Sequence, residues 1–135
     1  MRYGTVGSGW IAHAFVNGAS LTGAMTLGAV YSRSRDTGDA FAAAHGGAPV
    51  FTDLAQMAAF DGVDAVYIAS PNALHAAQSR LFLERGKHVL CEKPAAVTPA
   101  EFRALSALAK KNGVLYMEAM IPRHVPARET VLQTL

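Results

Sequence analysis

Short apolar runs alternate with Ala-rich stretches of helical spacing along the chain. Arg2 to Val6 reads as a first strand and runs at once into Gly7-Ser8-Gly9, after which Ile11 to Leu21 carries apolar residues at helical intervals. Met25 to Ser32, rich in small and β-branched residues, predicts a second strand. Thr37 to His45 predicts a helix stopped by Gly46-Gly47. Val50-Phe51 then gives a short third strand, and Asp53 caps a brief helix through Phe60. Ala65 to Ala69 (Ala-Val-Tyr-Ile-Ala) is a continuous apolar run, the pattern of a strand buried on both faces. Asn72 opens the next helix, and Gly86 closes it. His88 to Cys91 is a fifth strand. Thr98-Pro99 starts a helix with Pro in its first turn and Glu101 placed to favour the dipole. Asn112-Gly113 ends that helix, and Val114 to Met117 is a sixth strand.

Strands alternating with helices predict an α/β fold: a doubly wound, six-stranded parallel sheet with helices on both faces. Six strands is also the count of two mononucleotide-binding halves, the Rossmann arrangement. Residues 1–120 are therefore expected to form one NAD(P)-binding domain. After Met120 the chain reads Ile-Pro-Arg-His-Val-Pro and then a short helical run from Ala127 to Leu135 without a cap. Residues 121–135 are expected to begin a connection to a C-terminal substrate domain outside this chain.

Composition narrows the classes. A length of 135 residues suits one domain, and 51% hydrophobic against 16% charged residues excludes disorder. The single Cys91 excludes an internal disulfide, suits a reducing cytoplasm and leaves no thiol partner for a metal cluster. Met1-Arg2-Tyr3 leads into a glycine loop and not into the apolar stretch of a signal peptide. No apolar run approaches the roughly 18 residues of a membrane span. The expectation is a cytoplasmic protein with no membrane partner. A net charge of +2 from scattered basic residues does not make a nucleic-acid face, though it suits an anionic small molecule.

The chemistry begins at Gly7-Ser8-Gly9-Trp10-Ile11-Ala12, which matches G-x-G-x-x-A between a predicted strand and a predicted helix. Gly7 permits the tight turn, Gly9 leaves room for pyrophosphate oxygens against bare backbone, and Ala12 stays small where helix crosses sheet. The helix N-terminus offers unpaired N–H groups and the positive end of its dipole. Glycines also make ordinary turns; the position after the first of six alternating strands favours a dinucleotide.

The end of the second strand selects the dinucleotide. An NAD site usually has a carboxylate there, whereas this chain reads Tyr31-Ser32-Arg33-Ser34-Arg35, with no acid before Asp36. Arg33 offers a charge-assisted fork to a 2′-phosphate, and Ser32 or Ser34 a hydrogen bond. Such contacts are worth about 1.5–3 kcal/mol each. The competing reading is two solvated arginines, with Asp36 capping the following helix. NADP is favoured, and NAD remains open.

Three further segments fall at the carboxyl ends of strands four, five and six, where doubly wound sheets place ligands. Ala69-Ser70-Pro71-Asn72-Ala73-Leu74-His75 offers Asn72 either as a helix cap or toward the nicotinamide ribose, with His75 one turn on as an orienting or packing residue. Glu92-Lys93-Pro94 sets opposite charges at the mouth of a buried strand. Lysine, with an ordinary pKa near 10.4, becomes a usable proton relay when partial burial and a positive nicotinamide ring depress it. The alternative is a strand-end salt bridge. Tyr116-Met117-Glu118-Ala119-Met120-Ile121-Pro122-Arg123 starts as core strand, and Arg123 just past the strand end reaches either an anionic or polyhydroxylated ligand, or solvent. His13, His45, His88 and His124 have no metal-ligand spacing.

Together Gly7-Ser8-Gly9-Trp10-Ile11-Ala12, Ser32-Arg33, Ser70-Pro71-Asn72-Ala73-Leu74-His75 and Glu92-Lys93-Pro94 resemble the N-terminal domain of the glucose–fructose oxidoreductase / inositol dehydrogenase (Gfo/Idh/MocA) family, from Tyr3 to about Pro126. The resemblance implies that Lys93 is the active-site lysine and that Ser32-Arg33 meets the NADP 2′-phosphate. Gly7, Ser8, Gly9, Trp10 and Ile11 then hold the pyrophosphate. Ala69, Ser70, Asn72, His75, Glu92 and Ala119 border the nicotinamide half. Tyr116-Met117-Glu118-Ala119-Met120, with Arg123 and Pro126, is similar to the dihydrodiol and aldose dehydrogenase subgroup, although Ile121 stands where that subgroup usually carries Trp.

The resemblance further implies a dehydrogenase acting on sugar, polyol or diol CH–OH groups, homo-oligomeric at full length, with substrate contacts in a second domain. Two rivals come from other classes. A non-catalytic NAD(P) sensor has no need of Glu92-Lys93. A methyltransferase usually places a carboxylate where Arg33 stands.

Overall fold

The computed structural model describes residues 1–120 and 132–133. Six strands form one sheet: β1 Arg2–Val6, β2 Thr26–Tyr31, β3 Val50–Phe51, β4 Ala65–Ile68, β5 His88–Glu92 and β6 Tyr116–Ala119. They stand in the order β3-β2-β1-β4-β5-β6, with every neighbouring pair parallel. Between them run α1 Trp10–Leu21, α2 Arg35–Ala44, α3 Leu54–Ala58, α4 His75–Glu84 and α5 Pro99–Lys111, with a 3₁₀ turn, Asn72–Leu74, leading into α4. The chain proceeds outward from β1 in one direction and restarts from β4 in the other. That reversal opens a crevice at the carboxyl ends of β1 and β4.

Alternation along the strands divides the core into two layers. Val6, Ala29, Val66, Ile68, Val89 and Cys91 pack with Met57 of α3, Phe82 of α4 and Leu105 of α5. Tyr3, Val30 and Ala65 pack with Ala12 and Val16 of α1 and Phe41 of α2. Successive side chains on a strand point to opposite faces, so the two clusters lie on opposite sides of the sheet. All four residues of β4 are buried, as the unbroken apolar run anticipates.

Several boundaries differ from the sequence reading, each for a local reason. Helix α2 starts at Arg35 and not at Thr37, because Ser34 is its N-cap and accepts from the Thr37 N–H; Asp36 sits in the first turn and does not cap. Asn72 makes no side-chain cap bond. Pro71, with φ −58°, leads into the 3₁₀ turn, and regular α-helix begins only at His75. Strand β6 begins at Tyr116, since the Val114 N–H is still spent on the Ala109 carbonyl at the exit of α5. The Thr98–Glu101 pair forms a reciprocal capping box at the start of α5, with Pro99 in the first turn.

Candidate functional site

The crevice is built from the loops that follow β1, β4, β5 and β6. Gly7 leaves β1 with φ +110°, and a Cβ there would lie 2.6 Å from the Ala69 carbonyl oxygen. Only glycine meets both conditions, so the β1 loop is pressed against the β4 loop. Gly9 is the N-cap of α1. It has extended backbone (φ −81°, ψ 178°), no side-chain cap bond, and nothing within 4 Å of where a Cβ would stand. No side chain caps the first N–H groups of α1. Trp10 is 78% exposed beside them.

Two adjoining cavities share Ile11 and Glu92. The first, about 320 Å³, is lined by Trp10, Ile11, Ala69, Ser70, Asn72, Glu92 and Lys93. The second, about 360 Å³, is mostly apolar and runs between Phe15 on α1 and Leu90 and Met117 on the sheet, with Ala119 at its edge. A larger groove of about 590 Å³ lies at the other end of α1, beside Asn17, Ser20 and His45. It lies away from the Gly7–Gly9 loop and no Glu-Lys pair lines it, so size alone does not make it the site.

Glu92 is held by its surroundings and not by Lys93. Its Oε1 accepts from the Tyr67 hydroxyl at 2.5 Å, and its Oε2 accepts from the backbone N–H of Lys93 at 3.3 Å. Among the described residues Arg35 and Asp39 form the one salt bridge, so the strand-end ion pair between Glu92 and Lys93 is not made. The Lys93 side chain is exposed, which corrects the expectation that this domain partly buries it. The Lys93–Pro94 peptide is cis. Burial pushes the Tyr67 hydroxyl well above its ordinary range, reinforced by its hydrogen bond to Glu92. Burial also raises the Cys91 thiol to about 12, so that cysteine is neutral and inert at ordinary pH.

His75 is fully buried, and its two ring nitrogens lie 2.8 Å from the carbonyl oxygens of Pro94 and Ser70. This corrects its place among cofactor-contacting residues, since no atom of the ring reaches solvent. Asn72, freed from capping, is exposed at the cavity wall.

At the end of β2, Ser32 is 6% exposed and its hydroxyl pairs with that of Thr37 at 2.8 Å. Arg33 is exposed and makes no hydrogen bond or ion pair among the described residues. Arg35, by contrast, is tied to Asp39 and to the Val50 carbonyl. The structure thus separates the two arginines that the sequence left side by side. Arg123 lies outside the described residues.

Three residues carry roles that the sequence did not assign. Tyr67 orients Glu92, while Tyr116 and Glu118 clamp Ala95: the Tyr116 hydroxyl donates to its carbonyl at 2.8 Å, and Glu118 Oε1 accepts from its N–H at 2.9 Å. The available signal was the polar tip in each apolar strand, Tyr67 within Ala-Val-Tyr-Ile and Glu118 within Tyr-Met-Glu-Ala. Among the described residues no group of three or more His, Cys, Asp and Glu is placed to hold a metal ion, and no helix is long and apolar enough to cross a membrane.

Comparison with known proteins agrees with this geometry. A family model described as "Oxidoreductase family, NAD-binding Rossmann fold" matches residues 1–120. The scyllo-inositol 2-dehydrogenase (NADP(+)) IolU of Bacillus subtilis is 48% identical over 126 residues, covering 93% of this chain and 38% of that protein. The trans-1,2-dihydrobenzene-1,2-diol dehydrogenase of Mus musculus is 33% identical, covering 100% of this chain and 41% of that protein. The crystal structure of KijD10, a 3-ketoreductase from Actinomadura kijaniata in complex with NADP, superposes with a TM-score of 0.94 at 32% identity, covering 99% of this chain and 43% of that one. The chain thus spans about two-fifths of the length of these relatives.

Proposed function

Because the chain belongs to the Gfo/Idh/MocA oxidoreductase family, we propose that it is the NADP-binding domain of a dehydrogenase acting on a sugar, polyol or diol carbon. The observation that carries this reading is Gly9: the N-terminus of α1 is uncapped by any side chain and opens on free space at the crevice. Backbone N–H groups with no partner and the positive helix end together fit a pyrophosphate. The exposed guanidinium of Arg33, just past the end of β2, fits a 2′-phosphate. IolU, named as an NADP(+) dehydrogenase, and KijD10, crystallised with NADP, support that choice of dinucleotide.

In this reading Gly7, Ser8, Gly9, Trp10 and Ile11 hold the pyrophosphate, and Ser32 and Arg33 the adenosine phosphate. Ala69, Ser70, Asn72, Glu92 and Ala119 border the nicotinamide half. The bound cofactor supplies hydride exchange with the carbinol carbon. Lys93, exposed at the cavity wall, relays the hydroxyl proton that must leave or arrive as hydride moves. Glu92, fixed by Tyr67, sets the direction of the wall from which Lys93 projects. Substrate selection, the second acid–base residue and homo-oligomer contacts belong to the further length that the relatives possess. Cytoplasmic residence accords with the free, buried Cys91.

Calorimetric titration of the chain with NADPH, NADH and S-adenosylmethionine tests the reading. Tighter binding of NADPH than of NADH, and none of S-adenosylmethionine, is expected. Failure of both dinucleotides to bind would overturn it.

A further inference from the structure

Lys93 projects from a loop that no backbone ladder holds. The pairing of β5 with β6 ends at Glu92 against Ala119, and among the described residues no backbone–backbone hydrogen bond reaches residues 93–95. Side chains hold these residues instead. Glu92 Oε2 meets the Lys93 N–H at 3.3 Å, and the Pro94 carbonyl oxygen lies 2.8 Å from the His75 ring. Ala95 is gripped on both sides from β6: Glu118 Oε1 accepts from its N–H at 2.9 Å, and the Tyr116 hydroxyl donates to its carbonyl at 2.8 Å. We infer that Glu118 is a positioning residue for Lys93, acting through the Ala95 N–H to fix the loop from which the lysine reaches the crevice.

The strand makes this grip possible. Tyr116 and Glu118 stand two positions apart on β6, so both point to one face of the sheet. Ala95 is fully buried there and packs in the same core layer as Cys91 and Leu105, while Lys93, two residues earlier, is exposed and lines the cavity. The loop is therefore anchored at Ala95 and free at the lysine. Glu118 makes no ion pair with Lys93, since Arg35 and Asp39 form the one salt bridge among the described residues. Its influence passes through backbone and depends on reach. A hydrogen bond is gone once donor and acceptor stand about 3.6 Å apart. From 2.9 Å, withdrawal by one methylene, about 1.5 Å, is enough to break it. Misplacing a reacting group by about 1 Å can cost about a hundredfold in rate.

The part of Lys93 in cofactor chemistry rests on the proposed function; the hold on its loop is a property of the chain alone. The test compares the whole chain with Glu118→Gln, which keeps an oxygen at the same reach but no acid, and Glu118→Asp, which keeps the acid and withdraws the oxygen. In the cofactor-free chains, ¹⁵N relaxation reads the backbone order parameter of Lys93. Wild type and Glu118→Gln should stay near about 0.85, and Glu118→Asp should fall below about 0.6. Unchanged order in Glu118→Asp, or equal loss in Glu118→Gln, would overturn the inference. NADPH is then titrated by calorimetry into Glu118→Asp, Lys93→Ala and the double variant. Glu118→Asp should weaken binding about three- to tenfold, and that loss should vanish where Lys93 is already alanine. Equal loss with and without Lys93 would mean general loosening and overturn action through the lysine. Should Glu118→Asp not fold, the wild-type chain decides: coupling across the hydrogen bond between the Ala95 amide nitrogen and Glu118 Cδ is expected, and its absence would sink the idea. Failure of the wild-type chain to bind any dinucleotide, with loop order still following the acceptor, would count against the proposed function and for Glu118 as the holder of the loop.

Discussion

The Tyr67 hydroxyl, on β4, donates across the strand boundary to Glu92 Oε1 at the end of β5, while the tyrosine ring stacks on Phe15 of α1 at 3.9 Å between centroids. One side chain thereby links the helix that starts at the glycine loop to the carboxylate beside Lys93. Hydrogen bonds to charged groups contribute about 1.5–3 kcal/mol. Tyr67→Phe keeps the stack and loses the bond. It should lower stability to urea by about 1–2 kcal/mol and weaken NADPH binding roughly tenfold, read by denaturation and calorimetry. Unchanged affinity would detach Glu92 orientation from cofactor binding.

The two loop glycines should fail in different ways. Gly7→Ala meets the Ala69 carbonyl and a positive φ, so it should destabilise the fold by about 1–3 kcal/mol. Gly9→Ala enters open space, so thermal unfolding should move little while dinucleotide affinity falls tenfold or more. Comparing melting with binding for the pair separates a steric role in folding from a steric role in ligand approach.

Replacing Arg33 by Ser should weaken NADPH about ten- to a hundredfold and leave NADH nearly unchanged, since one charge-assisted fork is removed. Arg35→Ser, which breaks only the exposed pair with Asp39, should change neither dinucleotide's affinity by more than about twofold. Equal loss at both positions would point to general electrostatic attraction.

Alkaline stability follows from burial. Cys91 rises from an ordinary 9.0 to about 12, Tyr116 from 10.0 to about 12, and Tyr67 rises as well. Each group keeps its proton longer in the folded state, so its contribution is complete below pH 9 and is lost as pH climbs toward 12. Urea midpoints should fall across that window, less steeply for Cys91→Ala.

Acid acts through a different pair. His13 Nδ1 and His45 Nε2 lie 2.7 Å apart between α1 and the end of α2, and burial followed by the proximity of His13 lowers His45. A lowered histidine favours the neutral form, so its contribution is present above pH 6.5 and lost as pH falls below it. His45→Gln should flatten this limb of the stability profile between pH 7 and 5. A profile unchanged by the substitution would remove the pair from the account.

What the sequence disclosed depended on the range of each interaction. The glycine loop, the capping box at Thr98 and the apolar run of β4 are local patterns, and each element lies within a few residues of its expected place. Asn72 misled because its type favours capping, whereas Pro71 set the backbone and left the amide free. Glu92 and Lys93 are neighbours in sequence but do not pair, since Glu92 is held by Tyr67 while Lys93 lies just past the end of β5 and is exposed. Tyr67, Tyr116 and Glu118 act across 21 to 25 positions of chain, a range at which composition carries no pairing information. His75 illustrates the same limit, as its ring bridges two loops that only the sheet brings together.

The strand order has a temporal side. β1 leaves the ribosome first, yet it occupies the middle of the sheet, with Tyr3 registered against Ala65 of β4. At about 5–20 residues per second, that neighbour emerges roughly 3–12 s after β1 itself. Until then the nascent chain can assemble only the β1–β2–β3 half, with the β4-facing edge of β1 bare. The nucleotide crevice, which needs both halves, is therefore a late product of synthesis, and its glycine loop waits as an unsupported turn beside an open strand edge.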